Sequence, residues 1–342
     1  MRRLMMSREK ELIEVINKQM PRSSSQVNHL FESDSEIVTF HGKGLLYNID
    51  EFSEEDLFRE DDPYRLGWNM AIGSISDILA SGGSPKFYAH SMVVRDSWST
   101  EYIEKLARGI AQVIKEAGAA FIGGDFGISK TWRYTGSVIG ELASKSLLRS
   151  GAKVGDRIYI TGGIGRGNVE AALQLYGDNL LVMSLTGGWK NLLPLRSKEA
   201  ELIRKYSRCC MDTSDGVFNA LRMISELSRT GFFIDNLPYV KSGLFLAKTL
   251  NLPKEILFLG ECGEYELLFT LSEKREEGFL KTAGERKLTF HKIGIVKEPG
   301  SQILWEKGRG IDFRAYDLRA RDYSDPKDYL RKVVNFLKEA AK

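Results

Sequence analysis

Apolar and polar residues alternate along the chain in a way that predicts strands and helices in turn. The segment STEYIEKLARGIAQVIKEAGAA predicts an amphipathic helix capped by Ser99 or Thr100, with an apolar stripe of Ile103, Leu106, Ile110, Val113 and Ile114. YRLGWNMAIGSISDILASGG predicts a second helix that ends at Gly82 and Gly83. The short apolar runs GKGLLYNID, KFYAHSMVV, AAFIGGDFG and GSVIGELAS predict strands beside these helices.

A second set of elements begins near Arg149. RIYIT and CCMD predict strands, each followed by a glycine-containing turn and a helix, and EYELLFTLS and FHKIGIV predict further strands. Gly177 to Glu201 is the least periodic stretch, and there we expect loop and irregular helix. The pattern predicts an α/β (α+β) fold with mixed strands. We divide it into an N-terminal helix (1–21), two domains (22–147 and 148–318) and a C-terminal helical tail (319–342).

Composition excludes several classes of protein. The 342 residues are 42% hydrophobic and 28% charged with a net charge of +3, which is typical of a globular chain and gives no sign of a nucleic-acid partner. No run approaches the roughly 20 apolar residues of a membrane span. The apolar run after Arg3 is too short for a signal-peptide core, and the three cysteines form no CxxC pair. We expect a soluble cytoplasmic protein without a disulfide framework.

A set of aspartates carries the chemical signal. Each ends a short apolar run among small residues: Asp34, Asp50, Asp77, Asp125, Asp212 and Asp215. Aspartate is a poor strand and mid-helix residue, so repeated placement at the ends of buried elements predicts a use other than packing. Single aspartates are more often helix caps or turn formers. Six in this setting predict a site for hard cations bound to phosphate.

Other motifs are weak or absent. GGIGRG lacks the GxGxxG spacing and an acidic residue about 20 positions later, so a tight loop explains it better than a dinucleotide site. GxxxxGK[ST] and HExxH are missing, and GGDFG lacks the partner motifs of protein kinases. An acid-rich site with glycine loops and no evident general base fits phosphoryl transfer, which depends mainly on positioning and charge neutralisation.

The motifs resemble a known family. GWNMAIGSISDILASGGSP, FIGGD, RSGAKVGDRIYITG, MDTSDGV and EYELLFT follow the order and spacing of thiamine-monophosphate kinases, which belong to the superfamily of aminoimidazole ribonucleotide synthetase (PurM). The resemblance implies two PurM-like domains, a homodimer formed through the N-terminal sheet, and ATP and Mg²⁺ as cofactors. It also implies direct transfer of the ATP γ-phosphoryl group to a small-molecule phosphate that is already ionised.

The resemblance also implies roles for individual residues. It assigns all six aspartates to magnesium, with Asp50, Asp77 and Asp125 as catalytic residues. It places Gly123, Gly124, Arg149 and Ser214 at the nucleotide. On the acceptor side it points to Leu57, Glu264 and Tyr316.

The departures from the family pattern fall mainly on the acceptor side. Leu57 stands where the family has a substrate-contacting histidine, and Gly263 stands where it has an acid that Glu261 or Glu264 could replace. One departure touches the metal side, because the family's paired aspartates are reduced to Asp34, preceded by a serine.

Three functions therefore stay open. The first is thiamine-monophosphate kinase activity, the second is phosphorylation of another acceptor, and the third is a nucleotide-binding dimer without catalysis. Two branches of the superfamily are disfavoured. The chain has no cysteine in an N-terminal glycine-rich loop, as selenophosphate synthetase would need, and it does not end in the cysteine of HypE.

Overall fold

Two mixed sheets organise the chain. The computed structural model describes residues 8–142, 145–176, 182, 184, 189, 191–306 and 308–340. A five-stranded sheet is built from the N-terminal part and a seven-stranded sheet from the C-terminal part, which confirms the predicted mixed α/β fold. Much of the stretch for which we predicted irregular structure, between Gly177 and Lys190, lies outside the described residues.

The first sheet has the strand order β1-β2-β5-β3-β4. Its strands are β1 (Glu36–Phe40), β2 (Lys43–Ser53), β3 (Gly83–Arg95), β4 (Ala120–Ser129) and β5 (Arg133–Leu142). Strands β3 and β4 are parallel and the other neighbours are antiparallel. Strand β4 therefore forms one edge of the sheet.

Two helices pack on this sheet where the periodicity predicted them. Helix α2 (Pro63–Ala80) begins where the Asp62 side chain accepts hydrogen bonds from two backbone N–H groups, and Gly82 follows its end at φ +82°. Gly83 already belongs to β3. Helix α3 (Thr100–Glu116) is capped by Ser99, whose hydroxyl accepts from the N–H of Tyr102. A shorter helix, α1 (Arg8–Gln19), precedes the sheet.

The second sheet has the strand order β12-β11-β8-β10-β6-β9-β7. Its strands are β6 (Arg157–Ile160), β7 (Cys209–Asp212), β8 (Gly231–Ile234), β9 (Leu267–Leu271), β10 (His291–Lys297), β11 (Gln302–Glu306) and β12 (Arg309–Asp312). The accompanying helices are α4 (Arg166–Leu175), α5 (Ser197–Tyr206), α6 (Val217–Ser228), α7 (Lys241–Thr249), α8 (Ile256–Leu259), α9 (Glu273–Glu285) and α10 (Pro326–Ala340).

Helix α2 lies between the two halves and is buried along nearly its whole length. One apolar cluster contains Ile75 and Ile78 of α2 together with Leu202 and Phe269 of the second half. Among the described residues, no helix has the length and apolar character needed to cross a membrane. Because residues of both halves contribute to this cluster, it fixes the position of one half relative to the other.

Candidate active site

Three of the predicted aspartates meet where the two halves join. Asp34 lies in the turn before β1, Asp77 in the last turn of α2, and Asp212 at the end of β7. Each offers a carboxylate oxygen within 4.8 Å of the others. Asp212 is fully buried, and the side chain of Asp34 is 1% exposed. Within the described residues, no other group of three or more acidic, histidine or cysteine side chains lies this close together.

Serine hydroxyls hold these carboxylates in place. The Ser81 hydroxyl accepts from the N–H of Ser35 at 2.9 Å and lies 3.0 Å from the Ser33 hydroxyl, so the Asp34 turn is attached to the end of α2. On the other side, the N–H and hydroxyl of Ser214 donate to Oδ1 of Asp212 at 3.3 and 2.9 Å. Ser33 therefore fills the place of the missing second carboxylate with a structural hydrogen bond.

Asp50 adjoins the three carboxylates from β2. It hydrogen-bonds to Asp77, and its Oδ2 accepts from Nδ2 of Asn48 at 2.9 Å. The same Asn48 nitrogen donates to the backbone oxygen of Ser74 on α2 at 3.0 Å. Asn48 is thus a site residue that sequence reasoning missed. Its signal was available, because residues two apart on a strand lie on the same face.

The pKa values of these aspartates are raised, first by burial and then by neighbouring charges. Burial raises the pKa of Asp34 to about 7 despite the neighbouring Arg149 charge, and burial raises that of Asp50 to about 6. The pKa of Asp77 is raised well above its usual value, first by burial and then by the charges of Asp50 and Asp212. Several carboxylates that repel one another in a buried site would be stabilised by an added cation.

Arg149 places one positive charge in this cluster. Its Nε and Nη2 both lie 2.7 Å from Oδ1 of Asp34. Its backbone N–H donates to the carbonyl of Glu32 at 2.8 Å, and its carbonyl accepts from the thiol of Cys209. The residue is therefore attached by its backbone both to the Asp34 turn and to β7.

The donor set fits a hard divalent cation. Oδ2 of Asp34 and Oδ2 of Asp212 are buried, and neither has a hydrogen-bond partner in the described structure. A buried carboxylate oxygen without a partner is costly unless a ligand satisfies it. Oxygen donors without nitrogen or sulfur suit Mg²⁺ or Ca²⁺ better than zinc.

Strand β4 carries the predicted residues Gly123, Gly124 and Asp125 away from this cluster. Asp125 is exposed and pairs with Ser91 of β3. Gly123 has φ +131°, and a Cβ on Gly124 would come within 2.2 Å of the His90 carbonyl. The same edge strand exposes the apolar side chains of Phe121, Ile122, Phe126 and Ile128. One chain alone therefore does not bring Asp125 to the other aspartates.

Asp215 also lies outside the cluster. Its side chain is 59% exposed, and Oδ1 lies 3.5 Å from Nη2 of Arg321. Asp215 is therefore close to the cluster in sequence but not in contact with it.

Two of the predicted acceptor residues, Leu57 and Tyr316, differ in their surroundings. Leu57 ends a short 3₁₀ helix in the left-handed region at φ +56°, which is unusual for a residue other than glycine. Tyr316 is 3% exposed and packs against the rings of Phe218, Phe313 and Phe336, so it is a core residue in this chain.

Glu264 caps helix α4 rather than facing an open site. Its carboxylate accepts from the N–H groups of Gly165, Arg166 and Gly167 at 2.8, 2.6 and 3.1 Å, and burial raises its pKa to about 7 against these donors. The amides of the GGIGRG loop therefore bind a carboxylate of the chain itself. The alternative acid, Glu261, accepts from the N–H of Ala320, and its Oε1 is buried without a hydrogen-bond partner in the described structure.

Comparison with known proteins agrees with this fold. Residues 32–142 match the N-terminal domain family of AIR synthase related proteins. The solved structure of AaThiL complexed with AMPPCP and TMP superposes with a TM-score of 0.72 at 23% identity, covering 88% of this chain and 94% of that one. HypE in complex with ATP gives a TM-score of 0.62 at 16% identity, over 86% and 87% of the two chains. The matched N-terminal domain and the shared fold therefore define the class, that of AIR synthase related proteins.

Relatives identify the family within that class. The thiamine-monophosphate kinase of Bacillus subtilis is 30% identical over 75% of this chain and 82% of its own length. That of Methanopyrus kandleri is 30% identical over 85% of this chain and 93% of its own length. The chain belongs to the thiamine-monophosphate kinase family, a family of ATP-dependent kinases.

Proposed function

We propose that the protein transfers the γ-phosphoryl group of ATP to thiamine monophosphate and releases thiamine diphosphate and ADP, with Mg²⁺ as the metal cofactor. The observation that carries this proposal is the cluster of Asp34, Asp77 and Asp212, which has two buried oxygens without partners in the described structure. Family membership supplies the reaction class, and the binding of AMPPCP and TMP by a structural relative supports the two substrates.

The residues in and around the cluster would have different roles, in binding the metal and in binding phosphate. Asp34, Asp77 and Asp212 would hold Mg²⁺, which neutralises phosphate charge when bound. Asp50 lies beside Asp77 and is fixed by Asn48, so its carboxylate is oriented before any ligand binds. Ser214 and Arg149 lie at the edge of the cluster, where a hydroxyl and a guanidinium can hold phosphate oxygens.

The transfer needs no general base. A phosphate oxygen of thiamine monophosphate is already ionised near neutral pH and can attack the γ-phosphorus directly. The new P–O bond forms as the bond from the γ-phosphorus to the β,γ-bridging oxygen breaks, and ADP leaves with that oxygen and its electron pair. Catalysis then depends on holding the two phosphates in line and on balancing their charge.

A homodimer is part of this proposal. An edge strand with four exposed apolar side chains is prone to pair with a second copy, because its N–H and C=O groups are also unpaired on that side. Gly123, Gly124 and Asp125 lie on this strand, so pairing of two β4 strands would place them at the subunit interface. Site-directed change of Ile122→Asp should produce monomers in analytical ultracentrifugation.

A different acceptor is the second candidate, and Leu57 favours it. The family position holds a histidine, whereas leucine offers no polar contact, and polar contacts dominate discrimination between substrates. In this second function, the binding of ATP and Mg²⁺ would be the same and only the acceptor would differ.

These two functions can be separated by incubating the protein with ATP, Mg²⁺ and each of a set of phosphorylated acceptors, and measuring the release of ADP. We expect Mg²⁺-dependent ADP release with thiamine monophosphate, and its loss in Asp77→Asn and Asp212→Asn. Asp96→Asn is the matched control, because Asp96 is 45% exposed and paired with Lys130 away from the cluster. ADP release only with another acceptor would support the second candidate. Full activity in both cluster variants would contradict the metal assignment.

A further inference from the structure

Arg149 and a cation would bind the same carboxylate, that of Asp34. Both Nε and Nη2 of Arg149 are 2.7 Å from Oδ1 of Asp34, while Oδ2 of Asp34 is buried and has no hydrogen-bond partner in the described structure. A guanidinium and a divalent cation on one carboxylate repel each other, and the repulsion is strong where little water screens it. The Arg149 side chain is only 17% exposed.

Backbone hydrogen bonds hold Arg149 in place beside the cluster. The backbone N–H is bonded to the Glu32 carbonyl, and the neighbouring Leu148 carbonyl accepts from the N–H of Cys210 on β7 at 2.9 Å. These bonds fix the Cα position beside the cluster. Exchange of the guanidinium between partners would therefore take place by rotation of the side chain.

We propose that Arg149 is an exchangeable counter-ion that couples metal binding to nucleotide binding. Before ligands bind, its guanidinium pairs with Asp34 and weakens the binding of a bare divalent cation. When a nucleotide binds, the guanidinium moves to its phosphate oxygens, and its repulsion of a metal at Asp34 is removed. This inference rests on the proposed function, because it takes Mg²⁺ and a nucleoside triphosphate as the two ligands.

The coupling must act in both directions, since binding free energies are reciprocal. The nucleotide should increase the affinity for Mg²⁺, and Mg²⁺ should increase the affinity for the nucleotide by the same factor. Removing the Arg149 charge should reduce this factor and at the same time strengthen binding of Mg²⁺ alone. A residue that merely holds Asp34 in position would have the opposite effect on bare metal affinity.

Isothermal titration calorimetry of the intact protein with Mg²⁺ alone tests this directly. We expect Arg149→Gln to bind Mg²⁺ about tenfold more tightly than the wild type, because one competing charge is gone. Arg149→Lys keeps the charge and should stay within about threefold of the wild type. Arg157→Gln is the matched control: Arg157 is 18% exposed and paired with Glu273 at 2.6 Å, outside the cluster, so its loss should leave Mg²⁺ affinity unchanged.

The same titrations with saturating AMPPCP complete the test. The nucleotide analogue should tighten Mg²⁺ binding in the wild type and should do so about tenfold less in Arg149→Gln. Asp34→Asn provides an independent variant. It removes the carboxylate charge that pairs with Arg149, so AMPPCP should bind more tightly in the absence of Mg²⁺. Unchanged or weaker Mg²⁺ binding in Arg149→Gln, or weaker AMPPCP binding in Asp34→Asn, would overturn the exchange. A wild type that binds no Mg²⁺ even with AMPPCP would overturn the proposed function as well.

Discussion

Glu170 and two arginines form a buried ion cluster that joins the two halves of the molecule. Glu170 lies on α4 and is 2% exposed. Arg59 binds its two carboxylate oxygens at 2.9 and 3.0 Å, and Nε of Arg65 lies 3.3 Å from Oε1. Arg65 is in the first turn of α2, so these contacts hold the helix that carries Asp77 against the half that carries Asp212.

Glu170→Gln should cost about 3–5 kcal/mol of the free energy of unfolding, the usual cost of removing one partner of a buried ion pair. The substitution leaves two guanidinium groups whose side chains are only 12% and 4% exposed. Arg65 keeps its ion pairs with Asp61 and Asp62. Arg59 keeps only the carbonyl of Trp189, at 3.1 Å, among the described residues. The unbalanced charge on Arg59 is therefore the main source of the loss.

Urea unfolding followed by circular dichroism measures this change. Glu141→Gln is the control, because its ion pair with Lys86 is 3.7 Å long and both side chains are more than 40% exposed, so its loss should cost at most about 1 kcal/mol. Arg59→Met combined with Glu170→Met should be less destabilising than Glu170→Gln alone, since no unpaired charge remains. A cost for Glu170→Gln no larger than that for Glu141→Gln would refute the reasoning.

Three further predictions concern single residues. The fold raises the pKa of Asp34 from 3.8 to about 7, so the folded protein holds this proton more tightly than the unfolded chain. The stability of the Mg²⁺-free wild type relative to Asp34→Asn should therefore fall in urea titrations as the pH rises from about 4 to about 7, and a rise would contradict the electrostatic account. Gly124→Ala should destabilise the fold by about 1–3 kcal/mol, because its Cβ would meet the His90 carbonyl at 2.2 Å, whereas Gly127→Ala on the same strand meets only a methyl group at 3.6 Å. Equal melting temperatures for the two alanine variants would show that this close approach is unimportant. Tyr316→Phe should leave the KM for the acceptor unchanged, since Tyr316 is a core residue, and a tenfold increase would restore the role that the family resemblance implies.

Local patterns predicted the larger elements well. The stripe of α3, the Ser99 cap and the apolar run of β2 are all short-range features, and each appears where the sequence placed it. The elements that were not predicted have weak local signals. Strand β8 is only Gly231–Ile234, and α9 (Glu273–Glu285) is polar on most of its surface with Phe279 and Ala283 as its buried residues.

The site was predictable only in part, because its contacts are distant in sequence. The aspartates of β2, α2 and β7 could be recognised from the sequence, and the structure brings Asp50, Asp77 and Asp212 together. The pairing of Arg149 with Asp34 spans 115 residues, and the hydrogen bond from Gly165 of the α4 N-terminus to Glu264 spans 99. No pattern within a single segment encodes such contacts, so the sequence could not distinguish a capping glutamate from one that binds substrate.

Phosphorus NMR of the purified protein with ATP, Mg²⁺ and thiamine monophosphate tests the central claim most directly. The account predicts that signals of thiamine diphosphate and ADP grow at equal rates, and that both are lost in Asp77→Asn. Hydrolysis of ATP to ADP and inorganic phosphate without thiamine diphosphate, or no reaction at all, would contradict it.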